Sequence, residues 1–161
     1  MTDPLPEEQL YAAVGYIIIK WSYIDVALDC VVSTIYTDCG GNSLRKRMPK
    51  FIKEKPAFVL EAISTIPQLK PFKAQAENII GRITNIKNLR EDFAHSVLTN
   101  PSHIDGVFRF ARLDAKEHNH GVKVWEFDVR GFPKLSETLQ RLVADTQEFA
   151  RSLEVTFHKS P

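Results

Sequence analysis

Residues 10–35 read LYAAVGYIIIKWSYIDVALDCVVSTI, and their apolar side chains recur at steps of three and four residues. This spacing places them on one stripe of an α-helix. Pro6 suits the first turn, and Glu7 and Glu8 complement the positive end of the helix dipole. The stripe comprises Leu10, Ala13, Val14, Ile17, Trp21, Ile24, Leu28, Val31 and Ile35. We therefore expect a helix from Pro6 to about Tyr36, whose stripe needs several helical partners.

A second helix is predicted after the break at residues 39–42, which read Cys-Gly-Gly-Asn. Pro49 and Pro56 interrupt the pattern that follows, because proline lacks the backbone donor that a helix interior requires. The second helix is therefore expected to be split, with its firm part at Ala57 to Ile66.

Two further helices are predicted on either side of a change in period. The third begins at Pro71 and continues to about Val97, where the pair Asn100-Pro101 stops it. The fourth opens at Pro133 and ends near Val155. Its apolar stripe consists of Leu135, Leu139, Leu142, Phe149 and Leu153.

Between the third and fourth helices the chain changes to strand-like sequence. Residues 107–113 and 122–128 are rich in β-branched and aromatic residues, and the polar segment Asp114 to Gly121 separates them. These two segments predict a β-hairpin at about 107–128. The predicted fold class is all-α: an antiparallel four- to five-helix bundle with a small β-hairpin inserted before the last helix. We expect one domain over residues 1–161.

Composition and charge narrow the class of protein. The chain has 161 residues, 43% hydrophobic and 25% charged, with a formal net charge of +1. This composition is typical of a globular domain. A net charge so close to zero gives no overall electrostatic attraction to nucleic acid or to an anionic membrane. The apolar run at 14–19 ends at Lys20, too short to span a bilayer, so we expect neither signal peptide nor membrane partner. Cys30 and Cys39 are best interpreted as free thiols in the cytoplasm.

The segment that suggests chemistry is Asn88-Leu89-Arg90-Glu91-Asp92-Phe93-Ala94-His95. On a regular helix centred on Ile86, Arg90 falls at about 40°, inside the apolar stripe. His95 falls at about 180°, with Asn88 and Glu91 beside it. A buried guanidinium needs a counter-charge, and Asp25 at the edge of the first helix's stripe is the first candidate. A structural ion pair of Arg90 with Asp25 is therefore one interpretation.

A resemblance supplies the other interpretation. Arg90 followed after four residues by His95, late in a long helix, resembles the R-x4-6-H motif of the HEPN superfamily (higher eukaryotes and prokaryotes nucleotide-binding domains). The string Leu89 to His95 looks like the usual setting of that motif, with an apolar residue before the arginine and a small residue before the histidine. The motif is short and degenerate, whereas the predicted architecture is similar over most of the chain.

The resemblance implies a metal-independent endoribonuclease that acts as a homodimer, in which the RNA 2′-hydroxyl attacks the adjacent phosphate. Arg90 would steady the phosphate and His95 would act in proton transfer. No cofactor and no metal are expected. RNA, a second copy of the chain and a partner protein such as an antitoxin are the partners that this context implies.

The sequence also departs from the active pattern. Glu91 follows the arginine where nuclease members commonly carry Asn, Asp or His, and Asp92 follows it. Two carboxylates repel a phosphate unless they are paired or turned away, and Lys87 can reach Glu91 at i,i+4. Many members lack nuclease activity. The alternative function is therefore a non-catalytic helical interaction or dimerisation protein, with Arg90 as a structural ion partner.

Three other groups of residues have both a functional and a structural interpretation. His118 and His120 suggest a metal, but the segment fits a polar hairpin loop in which Asn119 and Gly121 supply turns. A basic cluster around residues 44–55 could contact phosphates or form a solvated helix face. Basic and aromatic residues share the first strand, where the aromatic rings are expected to pack onto the bundle. The basic cluster contains Arg45, Lys46, Arg47, Lys50, Lys53 and Lys55, and the strand contains Phe108, Arg109, Phe110 and Arg112.

Overall fold

The computed structural model describes residues 5–99, 106–116 and 119–158, and these residues are mainly helical. Four α-helices and one small antiparallel sheet make up most of the described chain. The helices are α1 at Pro6–Asp38, α2 at Lys55–Thr65, α3 at Lys73–His95 and α4 at Phe132–Phe157. The strands are β1 at Val97–Leu98, β2 at Val107–Lys116 and β3 at Asn119–Asp128. No helix of the described residues is long and apolar enough to cross a membrane.

Helix α1 begins at Pro6, as the sequence predicts, and ends two residues beyond the predicted end. Most of its predicted stripe is buried, including Ile17, Ile24 and Leu28 at 0% exposure. The helix is followed by Gly40 in the left-handed region, at a φ of 83°. Gly41 is packed so tightly that an added Cβ would lie 2.7 Å from the Ile35 carbonyl oxygen. The two glycines allow the chain to leave α1 close against its own last turn.

Helices α2 and α3 differ from the prediction at their ends. Lys55 opens α2, and Pro56 lies in its first turn, where the missing N–H costs no intrahelical bond. A 3₁₀ segment at Pro67–Phe72 precedes α3, so that helix begins two residues after Pro71. Its predicted end at Val97 is wrong, because Val97 and Leu98 form β1. A β-branched residue at a helix end gains more from backbone pairing with a neighbouring strand than from one further helical turn.

The sheet has the order β1-β2-β3, with both pairs antiparallel. The predicted hairpin is therefore the larger part of a three-stranded sheet. Its strands reach further than expected: Asp114 pairs with Gly121, so the polar segment is mostly strand, and the predicted turns at Asn119 and Gly121 are wrong.

The aromatic face of the sheet covers the end of α3. Phe93 packs edge to face on three rings, with centroid distances of 5.4 Å to Phe110, 4.8 Å to Trp125 and 5.1 Å to Phe127. Phe110 and Trp125 are cross-strand partners and stack at 4.6 Å. The phenylalanines of the first strand were expected to pack onto the helical bundle; Phe108 and Phe110 are buried, and Phe110 contacts Phe93 of α3.

Backbone contacts group the chain into two compact units. One contains the described residues of 1–19 and 87–139, and therefore the sheet and the end of α3. The other contains those of 20–86 and 140–161, with α2 and most of α4. In this second unit Phe72 packs on the rings of Phe149 and Phe157, at 6.3 Å and 5.9 Å. The single domain over 1–161 stays a prediction.

Candidate functional site

The candidate site lies at the C-terminal end of α3. Arg90 is half-buried and His95, the last residue of the helix, is exposed. Phe93 fixes this orientation, because its ring is held among the aromatic rings of the sheet. Arg90 is three residues before Phe93 and therefore lies on nearly the same side of the helix. His95 is two residues after Phe93 and lies on the opposite side. The helical projection anticipated this arrangement, and Asn88, on the side of His95, is also exposed.

Asp92 is held by two cations of the sheet. Its Oδ1 lies 3.0 Å from Arg112 Nη1, and its Oδ2 lies 2.8 Å from Lys123 Nζ. Arg112 and Lys123 face each other across β2 and β3, so one cross-strand pair supplies both charges. The Asp92 side chain is only 13% exposed. The negative charge of Asp92, which would repel a bound phosphate, is therefore compensated by two positive charges.

A hydrogen bond fixes the residue after His95. Trp125 Nε1 donates to Ser96 Oγ at 2.9 Å. Since Trp125 also stacks on Phe110 and packs on Phe93, the exit of α3 is attached to the sheet by both apolar and polar contacts. The backbone at His95 is thus held from both sides, which positions its side chain at the surface.

Arg90 and Glu91 are half-buried, and among the described residues neither forms a salt bridge. The i,i+4 pair expected between Lys87 and Glu91 is not formed in the described part of the chain. The predicted pair of Arg90 with Asp25 stays a prediction; within its own unit, the Asp25 carboxylate accepts a hydrogen bond from Lys55 Nζ at 2.8 Å.

Asp25 forms an ion pair with the buried Lys55. Its side chain is 3% exposed and lies 2.8 Å from Asp25 and 2.7 Å from Asp29. Burial lowers the pKa of Lys55, but the hydrogen bonds and charges of the two aspartates outweigh it, so the pKa is raised above its ordinary 10.5. A buried ammonium without these carboxylates would cost several kcal/mol, about the size of an unpaired buried ion. Asp25 and Asp29 are one helical turn apart, and both pair with Lys55, the first residue of α2.

Two of the six residues in the predicted basic cluster are engaged in ion pairs. Lys55 is buried, and Arg45 Nη2 lies 2.6 Å from Glu61 Oε2. The remaining four, Lys46, Arg47, Lys50 and Lys53, are exposed. They lie in the loop between a 3₁₀ turn at Gly41–Ser43 and α2, so the expected solvated helix face is wrong.

Of the other candidates on the first strand, Arg112 reaches the site at α3 through Asp92. Arg109 pairs with Glu126 at 2.9 Å on the outer face of the sheet. His118 lies outside the described residues, as does the side chain of His120. Within the ranges that the structure describes, no three His, Cys, Asp or Glu side chains form a group suited to a metal ion.

Sequence reasoning missed the roles of Lys123 and Ser96. The signal was present in part, since Arg112 and Lys123 are cross-strand partners once the register is known. That register extends through residues that the sequence assigns to a loop. No family model, no curated protein and no solved structure matches this chain.

Proposed function

We propose that the chain is a HEPN-like domain that binds RNA as a homodimer at Arg90 and His95, and cleaves it by a metal-independent attack of the 2′-hydroxyl. The observation that carries the proposal is the state of Arg90. It is half-buried, and among the described residues no carboxylate pairs with it. A partly desolvated guanidinium with free donors is suited to bind a phosphate through two parallel hydrogen bonds.

The local charge supports an anionic ligand. Lys87, Arg90, Arg112 and Lys123 supply four positive charges, and Glu91 and Asp92 supply two negative ones, which leaves a surplus of two. Because Asp92 is held by Arg112 and Lys123, its repulsion of a phosphate is largely cancelled. His95 is exposed, as a group that exchanges protons with a large substrate must be.

The chemistry assigns one role to each residue. The 2′-oxygen attacks the adjacent phosphorus, the bond from phosphorus to the 5′-oxygen breaks, and the products end in a 2′,3′-cyclic phosphate and a 5′-hydroxyl. His95 transfers the proton of the attacking or leaving oxygen. Arg90 stabilises the charge that develops on the phosphoryl oxygens. Since the two side chains leave α3 on different sides, a second copy would complete the site.

The test is RNA cleavage in EDTA. Wild-type protein is incubated with a 5′-labelled single-stranded RNA, and the ends are identified by mass. We expect cyclic-phosphate ends that disappear in His95→Ala and Arg90→Ala but persist in His158→Ala, a matched exposed histidine of the chain. Cleavage that is equal in the wild type and His95→Ala refutes the nuclease half of the proposal.

A second candidate function is non-catalytic self-association. The face of the sheet opposite the aromatic rings exposes Val97, Leu113, Val122 and Val124, between 57% and 76%. In the register, Val97 pairs with Ala111 and Ala111 with Val124, so these side chains form one apolar surface. Exposed apolar patches of this kind are typical of protein interfaces.

Helix α1 offers a different apolar surface. Tyr11, Ile18, Ile19, Tyr23 and Val26 are exposed along it. Sedimentation of Val124→Lys and Ile19→Lys separates the two surfaces: the variant that dissociates a dimer identifies the interface. A wild-type protein that sediments as a monomer at all concentrations contradicts both self-association and the homodimeric nuclease.

A further inference from the structure

The loop before α2 presents cations around an exposed aromatic ring. Lys46, Arg47, Lys50 and Lys53 are exposed, and none has an ion pair among the described residues. Phe51 lies between them and is 68% exposed. A large apolar ring left in water among free cations is unusual for a loop that only connects two helices.

The loop is held in place by its neighbours. Tyr36 Oη donates to the Lys46 carbonyl at 3.2 Å, and Pro49 is buried. At the other end, the Phe51 carbonyl accepts hydrogen bonds from the backbone N–H of Glu54 at 2.8 Å and of Lys55 at 3.2 Å. Lys55 itself is fixed by Asp25 and Asp29. The backbone on both sides of Phe51 is therefore held by these contacts before any ligand arrives.

A cavity of about 350 Å³ lies within this loop. Its wall includes Arg47, Met48, Pro49, Lys50, Phe51 and Glu54. A volume of this size is at the lower end of those that hold small ligands, about 300–1,000 Å³. Arg45, which pairs with Glu61, also lines the cavity, so it combines apolar side chains, three cations and one carboxylate acceptor.

We infer that residues 46–53 bind single-stranded RNA, with a base stacked on Phe51 and the flanking phosphates on Arg47 and Lys50; the inference rests on the proposed RNA-binding function and adds a second contact to it. Stacking on an aromatic ring beside cations is how proteins bind single strands with little sequence preference. A duplex would not supply the unstacked base that the ring requires.

Glu54 distinguishes RNA from an anionic membrane surface. Its carboxylate lies in the wall of the cavity, where lipid headgroup phosphates would meet a negative charge. The amino and imino groups of a base can instead donate hydrogen bonds to it. A recess with one aromatic ring also offers less apolar surface to a bilayer than an amphipathic helix does.

The experiment measures fluorescence anisotropy with a labelled twelve-nucleotide oligouridylate in EDTA, with a 2′-O-methyl backbone to prevent cleavage. Phe51→Ala should weaken binding about tenfold or more, and Phe51→Leu nearly as much, since leucine is apolar but cannot stack. The variant with both Arg47→Ala and Lys50→Ala should reduce the slope of log affinity against log salt by about 1.4, since each lost contact to a single strand contributes about 0.7. Lys134→Ala, an exposed lysine of α4, is the matched control and should bind as the wild type does. Circular dichroism checks that each variant is folded.

The outcomes separate the two proposals. Loss in the loop variants, with binding kept in Arg90→Ala, supports the loop site and counts against the site at α3. Loss in Arg90→Ala alone overturns the loop inference and leaves the proposed function standing. Absence of binding by wild-type protein at low salt overturns both, and binding to phosphatidylserine vesicles in preference to the oligonucleotide overturns the choice of RNA.

Discussion

Arg112 Nη1 lies 3.0 Å from Asp92 Oδ1, and this contact joins the middle strand of the sheet to the last turn of α3. It comes from segments twenty residues apart in the sequence, and it turns an acidic position of the candidate site into a structural anchor. The same strand provides the apolar contacts of Phe93 through Phe110. The sheet therefore determines both the shape and the charge of the surface around His95.

Replacement of Asp92 tests this anchor. Asp92→Asn should lower the free energy of unfolding by about 1–3 kcal/mol, because Arg112 and Lys123 lose a charged acceptor that is mostly buried. Urea denaturation followed by tryptophan fluorescence measures the change. Glu126→Gln breaks the exposed pair with Arg109 and should cost less than about 1 kcal/mol. Equal losses in the two variants would contradict a special role for Asp92.

The buried ion cluster of Lys55 should make stability depend on alkaline pH. Its pKa is raised by Asp25 and Asp29 above 10.5, so the folded state holds the proton more tightly than the unfolded chain. The stabilisation is fully present below 10.5 and is lost as pH rises through the folded pKa. We expect the stability difference between the wild type and Lys55→Met to narrow above that pH in denaturation series. A difference that stays constant from pH 8 to strongly alkaline pH refutes the linkage.

Substitution by alanine should have opposite effects on stability at two glycines. Gly41→Ala places a Cβ 2.7 Å from the Ile35 carbonyl oxygen and 2.8 Å from the Phe58 ring, so a loss of about 1–3 kcal/mol is expected. Gly81→Ala, within α3, meets no atom within 4 Å and should stabilise by up to about 1 kcal/mol. Thermal unfolding of both variants provides the comparison. A stabilising Gly41→Ala would show that the exit of α1 is looser than its contacts indicate.

The two cysteines should differ in reactivity. Burial, with a smaller effect of Asp38, raises the pKa of the Cys39 thiol to about 11, so almost none is thiolate at pH 8. Cys30 is exposed. A thiol reagent at pH 8 should modify one cysteine quickly in the wild type and in Cys39→Ser, but none quickly in Cys30→Ser. Rapid modification of both sites would require Cys39 to be accessible.

The helices were largely predictable because their signals are local. The apolar stripe of α1 and the aromatic strand residues lie within single segments, and the period of each segment determines which face is buried. The facing of Arg90 and His95 follows from the same geometry. The end of α3 was less predictable, because Val97 pairs with Ala111, which lies fourteen residues further along the chain.

The partners of charged residues were not predictable from local pattern. The local pattern gave no sign that Asp25 accepts a hydrogen bond from Lys55, which is thirty residues away in the sequence. Lys55 had been grouped with an exposed basic cluster, because its sequence neighbours are basic. Coulomb attraction acts between whichever charges the fold brings within a few ångströms, and sequence distance carries no information about that.

By itself the amino-acid sequence determined approximately where the four helices and the two long strands form and which side of α3 carries Arg90 or His95, since these depend on spacings of two to four residues. Tertiary structure alone decided that Asp92 is held by Arg112 and Lys123, that Asp25 pairs with Lys55, and that Phe51 is exposed among cations that form no ion pair within the described part of the chain. Those outcomes depend on strand register and loop packing, in which a shift of one residue exchanges the buried and exposed faces.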